Sequence, residues 1–163
     1  MILTDILIDG LLAAIAGIGF GAISHPPKRA FKYIAILAAV GHALRYALMN
    51  YAACDIATAS FCASFVIGLL SLWFGRLSYC PMTVLYIPAL LPMIPGMYAY
   101  KSVLALVMFM QHFKDTVLAE QYLRELSSNV IVTVSTVFLL AVGATILIFI
   151  APKLAYTMTR RNR

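Results

Sequence analysis

Charge is what this sequence has least of. Lys, Arg, Asp and Glu together make 11% of its 163 residues, where a soluble globular domain carries about 25%. That shortage excludes a disordered chain, which is charged and poor in apolar residues. It also excludes an ordinary soluble enzyme, whose solvated faces must be polar. Cysteine is scarce too: Cys54, Cys62 and Cys80 form no CxxC pair and no Cys/His cluster with metal-ligand spacing. No disulfide framework and no metal site are expected, and the three thiols read as small apolar packing residues. The start, Met1-Ile2-Leu3-Thr4-Asp5, lacks a basic n-region, so no cleaved signal is expected. Basic residues do not alternate with aromatics on a soluble face, which argues against nucleic acid. No Walker motif, HExxH, DxxDG cluster or Ser/His/Asp arrangement is present. The expectation is therefore no enzyme, no ATP-driven pump and no cofactor.

What is present is apolar residue. Hydrophobic side chains make 63% of the chain, and its mean hydropathy is +0.95. The fold class expected is all-α, a polytopic membrane helix bundle, with residues 1–163 as a single integral-membrane domain. A spanning helix needs about 20 mostly apolar residues to cross about 30 Å of hydrocarbon. Five segments qualify. The first runs from about Ile6 to Ser24, carries Asp9 near its start, and ends at His25-Pro26-Pro27. The second runs from about Phe31 to Tyr51 and contains His42 and Arg45. The third covers Ile56 to Gly75, followed by Arg76 and a Ser78-Tyr79-Cys80-Pro81 turn. The fourth stays apolar from Thr83 to about Phe113, and the fifth covers Val130 to Ala151 before Pro152.

The charges predict an orientation. Lys28, Arg29 and Lys32 lie in the first loop, Arg76 in the third, and Lys153, Arg160, Arg161 and Arg163 at the end of the chain. With five spans these places share one side. All six acids (Asp5, Asp9, Asp55, Asp115, Glu120, Glu125) fall toward the other. The positive-inside rule then predicts the N-terminus outside and the C-terminus inside.

The fourth segment is too long to be a plain span. As a straight helix it would measure about 46 Å at about 1.5 Å per residue. It contains Pro88, Pro92, Pro95 and Gly96, so a break is predicted at Pro92-Pro95-Gly96, near mid-depth. The prolines should free the carbonyls of Val84, Pro88 and Leu91. Unpaired main-chain groups at that depth are tolerated only against protein or a water-filled cavity. Amides after Gly96 are expected to point into the gap and attract an anion. Such broken helices are the usual binding architecture of secondary transporters, and a plain proline kink is the simpler alternative. Segment 114–129 is polar, with Leu118, Tyr122 and Leu126 on one stripe. It is expected to be a short helix at the outer surface, lying on the bundle or docking a partner.

Two positions inside the second span carry chemistry. His42 and Arg45 are three residues apart and share a helix face. Polar residues at that depth are costly and face the bundle interior. Arg45 suits a carboxylate and His42 a proton. The structural alternative is an Arg45–Asp9 pair joining two helices, or Arg45 snorkelling outward. Lys101, about one turn beyond the break with Tyr98 and Tyr100, completes an anion site or snorkels. Asp9 is a structural or entry-side residue, or with His42 a proton carrier. Gly17, Gly19 and Gly21 follow no strand, so they are read as helix packing and not as a dinucleotide fingerprint. Ser60, Ser64 and Gly68 form a second small stripe, for packing or for lining a polar path.

The runs Gly41-His42-Ala43-Leu44-Arg45 and Ile87-Pro88-Ala89-Leu90-Leu91-Pro92-Met93-Ile94-Pro95-Gly96-Met97-Tyr98-Ala99-Tyr100 resemble the small, five-helix half of the threonine/serine exporter family. Helix order, length and the basic first loop agree with it across nearly the whole chain. The resemblance implies secondary export of small polar metabolites: threonine and serine where both halves are fused, succinate-like dicarboxylates where they are split. It implies a larger membrane subunit as partner, and a bacterial inner membrane as location. The residues expected to bind substrate are His42, Arg45, Pro92, Pro95, Gly96, Tyr98 and Lys101, with His42 and Asp9 as proton-coupling candidates. The alternative is a non-transporting membrane scaffold that stabilises a larger partner. Copies of the same chain are a further partner to weigh. An ion channel would need a ring-forming acidic or TVGYG-like motif, and none is visible.

Overall fold

The computed structural model describes residues 2–150, with side chains from Thr4 onward. Among them every regular element is helical. Helix α1 spans Ile2–Ile23, α2 Phe31–Tyr51 and α3 Ile56–Ser78, and α4 covers Met82–Leu90. Helix α5 follows over Gly96–Gln111 and α6 over Thr116–Ile150, and short 3-10 turns occupy Lys28–Ala30 and Leu91–Met93. Four helices are long and apolar enough to cross a membrane, and a fifth span is counted if the interrupted pair α4–α5 is one crossing. The polytopic bundle predicted from hydropathy is therefore what the chain forms. The basic C-terminal residues Lys153, Arg160, Arg161 and Arg163, and the stop at Pro152, lie outside the described residues.

The chain divides into two compact units. The first holds everything through Met93 together with α6 from Leu139 onward. Its core is built from Ile34 and Leu37 of α2, Ile67 of α3, Leu85 of α4, Met93, and Leu140 and Ala144 of α6. Outward faces such as Leu7, Leu11, Ile15 and Trp73 are exposed and apolar, as lipid requires.

Small residues let these helices approach. Gly10, Gly17 and Gly21 recur on one face of α1. A Cβ on Gly17 would come within 2.8 Å of the Ala38 methyl, and one on Gly10 within 3.2 Å of the Ala39 carbonyl. On α3, a Cβ at Gly68 would meet the Ala144 carbonyl at 2.9 Å. On α6, one at Gly143 would run into the Ser64 hydroxyl and meet the Phe61 carbonyl at 2.8 Å. Without an apolar driving force between helices in lipid, such close van der Waals contact is what holds them. The second and third loops also have a defined chemistry. Asp55 caps α3, accepting from the amides of Ala57 and Thr58 at 3.0 Å and from the Thr58 hydroxyl at 2.6 Å. The Thr58 hydroxyl, helped by these amides, holds the Asp55 carboxyl below its ordinary range. Helix α3 ends at Tyr79 in the left-handed region, φ 51°, with the Cys80 amide donating to the Gly75 carbonyl. The Arg29 guanidinium sits over the Tyr79 ring, 5.7 Å from its centroid, so the α1–α2 and α3–α4 connections lie at one end.

The second unit, Ile94–Phe138, is a hairpin of α5 and the first part of α6. Residues 112–115 make the turn, where the Asp115 carboxylate accepts from the amides of Val117 and Leu118. The His112 and Tyr122 rings lie 5.5 Å apart across it. Here one expectation is corrected. Segment 114–129 is not a separate surface helix: from Thr116 it is the first half of α6, continuous with the last span. No glycine or proline interrupts the path between Thr116 and Gly143. The side chains of Ser127, Asn129 and Thr133 bond back to carbonyls four residues earlier, which leaves the helical ladder intact. At about 1.5 Å per residue the 35-residue helix is about 52 Å long, so one end extends beyond the hydrocarbon.

Candidate functional site

The polar groups inside the first unit converge where α1, α2 and the end of the α4 segment meet. Close packing of α1 on α2, permitted by Gly10 and Gly17, sets the register that brings Asp9 to His42. His42 Nδ1 lies 3.2 Å from Asp9 Oδ2. His42 is 8% exposed, so nearly all of its ring is removed from solvent. Its other nitrogen, Nε2, is buried with no hydrogen-bond partner. The Pro92 carbonyl lies beside the ring.

One turn further along α2, Arg45 Nη1 donates to the Met93 carbonyl at 2.6 Å. The break explains why that carbonyl is accessible. Pro95 has no N–H, and the Gly96 amide turns back to the Ile94 carbonyl at 2.8 Å. Pro92 thereby loses both of its helical donors, at positions i+3 and i+4, and Met93 loses the one at i+3. A guanidinium at the C-terminal end of a helical segment also meets the negative end of its dipole. Gly41 allows the approach: a Cβ there would strike Ile67, and Met93 Sδ would be 3.5 Å away.

Two details therefore differ from what was read in the sequence. Arg45 engages the Met93 carbonyl, which is not among the Val84, Pro88 and Leu91 carbonyls expected to be freed, and Pro88 sits inside α4 without ending it. The carboxylate of Asp9 meets His42, and not Arg45 as the structural alternative had it. Both follow from the α1–α2 register and the position of the 3-10 turn, which hydropathy does not encode. The one available signal was Gly10, directly after Asp9 and on the same stripe as Gly17 and Gly21.

Pro95, Gly96, Tyr98 and Lys101 belong to the second unit. Pro95 is the N-cap of α5. Its carbonyl accepts from the amides of Tyr98 and Ala99 at 3.1 and 3.2 Å. Those amides, and that of Gly96, are therefore engaged within the chain and are not an open anion cradle. A Cβ on Gly96 would meet nothing within 4 Å. Lys101 is exposed on α5 and lines a cleft of the hairpin with Tyr122, Glu125 and Asn129. Among the described residues no cluster of three or more His, Cys, Asp or Glu could hold a metal.

A bundle of apolar helices with an interrupted segment, and a buried histidine that meets a half-buried carboxylate beside an arginine, defines a multi-pass membrane protein with polar groups inside its first unit. The chain belongs to the threonine/serine exporter family: the profile described as "Threonine/Serine exporter, ThrE" matches residues 9–150. It is also similar to an uncharacterized protein of Haemophilus influenzae, 38% identical over 108 residues. That alignment covers 66% of this chain and 36% of the relative, so the chain spans little more than a third of it. No solved structure matches.

Proposed function

We propose that this chain is one component of a two-component secondary transporter that exports a small carboxylate-bearing metabolite, a succinate-like dicarboxylate or threonine and serine, across the bacterial inner membrane. The observation that carries the reading is Arg45, a guanidinium inside a span, held against the open end of an interrupted helix. Arg45 has five N–H donors, and the Met93 carbonyl takes one. The others suit a carboxylate in the forked geometry that arginine favours. The family supports export of small polar solutes. The relative is much longer than the stretch it shares with this chain, which suits a transporter completed by a second, larger membrane component. The excess of cations in the first and third loops supports an inner-side location for that end and an outer location for the N-terminus.

The test is efflux of radiolabelled threonine and succinate from cells that make this chain and the larger membrane protein that purifies with it. Arg45→Ala should lower efflux at least about tenfold, the worth of one lost charge-assisted contact. Arg45→Lys should recover only part of it, because an ammonium cannot form the fork. Normal efflux in Arg45→Ala at normal membrane abundance would remove the site. Flux unchanged on deleting this chain would make it a scaffold.

A further inference from the structure

The cations at one end of the first unit have no part in the function proposed above. Lys28 and Arg29 lead into α2, Lys32 lies in its first turn, and Arg76 stands in the last turn of α3. All four are exposed. The fold draws them together from two separate connections. Arg29 lies over the Tyr79 ring, 5.7 Å from its centroid, and Tyr79 is one turn beyond Arg76. Nearby, the Tyr33 ring of α2 meets Phe74 of α3 at 5.1 Å, and Lys32 Nζ lies 4.8 Å from the Tyr33 centroid. The acids of this unit, Asp5, Asp9 and Asp55, stand at its far end, in the first turns of α1 and at the start of α3. Such crowding is unfavourable without an anion. Lys28 and Lys32 are four apart, where like charges repel. With Arg29 they also stand at the positive end of the α2 dipole, which disfavours cations. Orientation in the membrane asks only for basic residues in a loop, not for this gathering of two loops. Trp73 and Tyr79 are 62% and 68% exposed, as aromatic side chains are at a membrane–water boundary. Trp73, Arg76 and Leu77 share one outward face of α3, so a cation stands beside exposed apolar surface.

We propose that this end of the first unit is a binding site for an anionic phospholipid. The phosphodiester takes N–H donors from Arg29 and Arg76, with Lys28 and Lys32 around it, and the acyl chains lie along Trp73 and Leu77. A guanidinium stacked by its face on a ring keeps its edge donors for a phosphate. Basic pockets between spanning helices recognise anionic headgroups in this way. Charge complementarity carries the assignment: four cations meet one fixed negative charge, and the apolar surface beside them meets the chains. A soluble phosphate ester would use the cations and leave the apolar face unmatched. A zwitterionic lipid would cover the face and set its own cation among four others. The anionic lipid alone satisfies both, and by offsetting the repulsion it stabilises the fold where the two connections meet.

Lipid binding to the purified protein in neutral detergent tests this, read by native mass spectrometry and by thermal unfolding. The probes are phosphatidylglycerol, phosphatidylcholine and glycerol 3-phosphate. Each basic side chain at an anionic headgroup is worth about fivefold in affinity. Phosphatidylglycerol should therefore bind at least about twentyfold more tightly than phosphatidylcholine and raise the melting temperature. Lys28→Gln with Arg76→Gln removes one cation from each connection and leaves both cation–ring contacts in place. This double variant should lose at least about tenfold in phosphatidylglycerol affinity, and the lipid should no longer raise its melting temperature. Lys114→Gln with Arg124→Gln removes the same charge from the second unit and should change the affinity by less than about twofold. Equal binding of the two lipids, an equal loss in both double variants, or full affinity in Lys28→Gln/Arg76→Gln overturns the proposal. Glycerol 3-phosphate binding as tightly as the lipid overturns it too, by making the site one for a soluble phosphate ester. None of these readouts needs transport, so they decide the lipid site independently of the transporter reading.

Discussion

Replacing Gly143 by alanine tests how the first unit is held together. In an isolated helix the change should help, since glycine is about 0.8–1 kcal/mol worse than alanine in a helix interior. Here the new methyl would run into the Ser64 hydroxyl and lie 2.8 Å from the Phe61 carbonyl. The carbonyl is backbone and cannot move without shifting α3. The hydroxyl is also tethered, donating to that carbonyl at 2.9 Å, so turning it away sacrifices a hydrogen bond of about 1 kcal/mol. Over-packing of this kind costs about 1–3 kcal/mol. Subtracting the propensity gain leaves a net loss of up to about 2 kcal/mol. Gly19 is the control, because a Cβ there meets nothing within 4 Å. Gly19→Ala should hold stability or raise it by up to about 1 kcal/mol. The assay is thermal unfolding of both variants in the same mild detergent. Gly143→Ala melting at or above wild type, or both substitutions shifting in the same direction, would refute the account of α3–α6 packing.

Other outcomes follow from the connections. Asp55 has a carboxyl lowered by its Thr58 and amide contacts, so its cap stabilises α3 above the ordinary carboxylate range near 3.8 and fades as pH falls through the lower folded-state value. Asp55→Ala should lower the melting temperature at pH 7, and the gap to wild type should close on acidification. The Glu120–Arg124 contact on α6 is exposed on both sides. Glu120→Gln should therefore change stability by less than about 0.5 kcal/mol, with any effect vanishing in high salt.

Hydropathy alone made the spans legible. Each of the first three appears within a few residues of where apolar composition put it, and Pro92-Met93-Ile94-Pro95-Gly96 announced the interruption because two prolines and a glycine defeat the helical ladder. What the one-dimensional pattern could not reveal was partnership. Asp9, His42 and Arg45 were visible as polar residues at depth, yet which of them meet depends on the angular register of α1 on α2. That register is set by close contacts at Gly10 and Gly17, a property of two surfaces at once. Segment 114–129 misled for a different reason. Its polar composition marks where α6 leaves hydrocarbon, and composition changes at such a boundary even when the helix does not stop.

The arrangement around His42 argues for use over structure. A polar side chain at mid-span costs a few kcal/mol unless it is satisfied. If α1 and α2 needed only to be joined, the glycine face already joins them, and leucine at position 42 would carry no such cost. A polar pair inside a bundle is in any case weak evidence for stability, since well-packed apolar residues often serve as well or better. Half of the ring is nonetheless satisfied by Asp9, and Nε2 on the other half is buried without a hydrogen-bond partner. Arg45 shows the same division, with one donor spent on the Met93 carbonyl and the rest of the fork left over. Each group is anchored by one contact and open at the other. Anchoring lowers the conformational entropy to be lost when a ligand arrives, which is how preorganised sites gain affinity. The interrupted segment supplies what an unbroken helix would withhold: main-chain carbonyls open to donors from outside the helix, as the Met93 carbonyl is to Arg45.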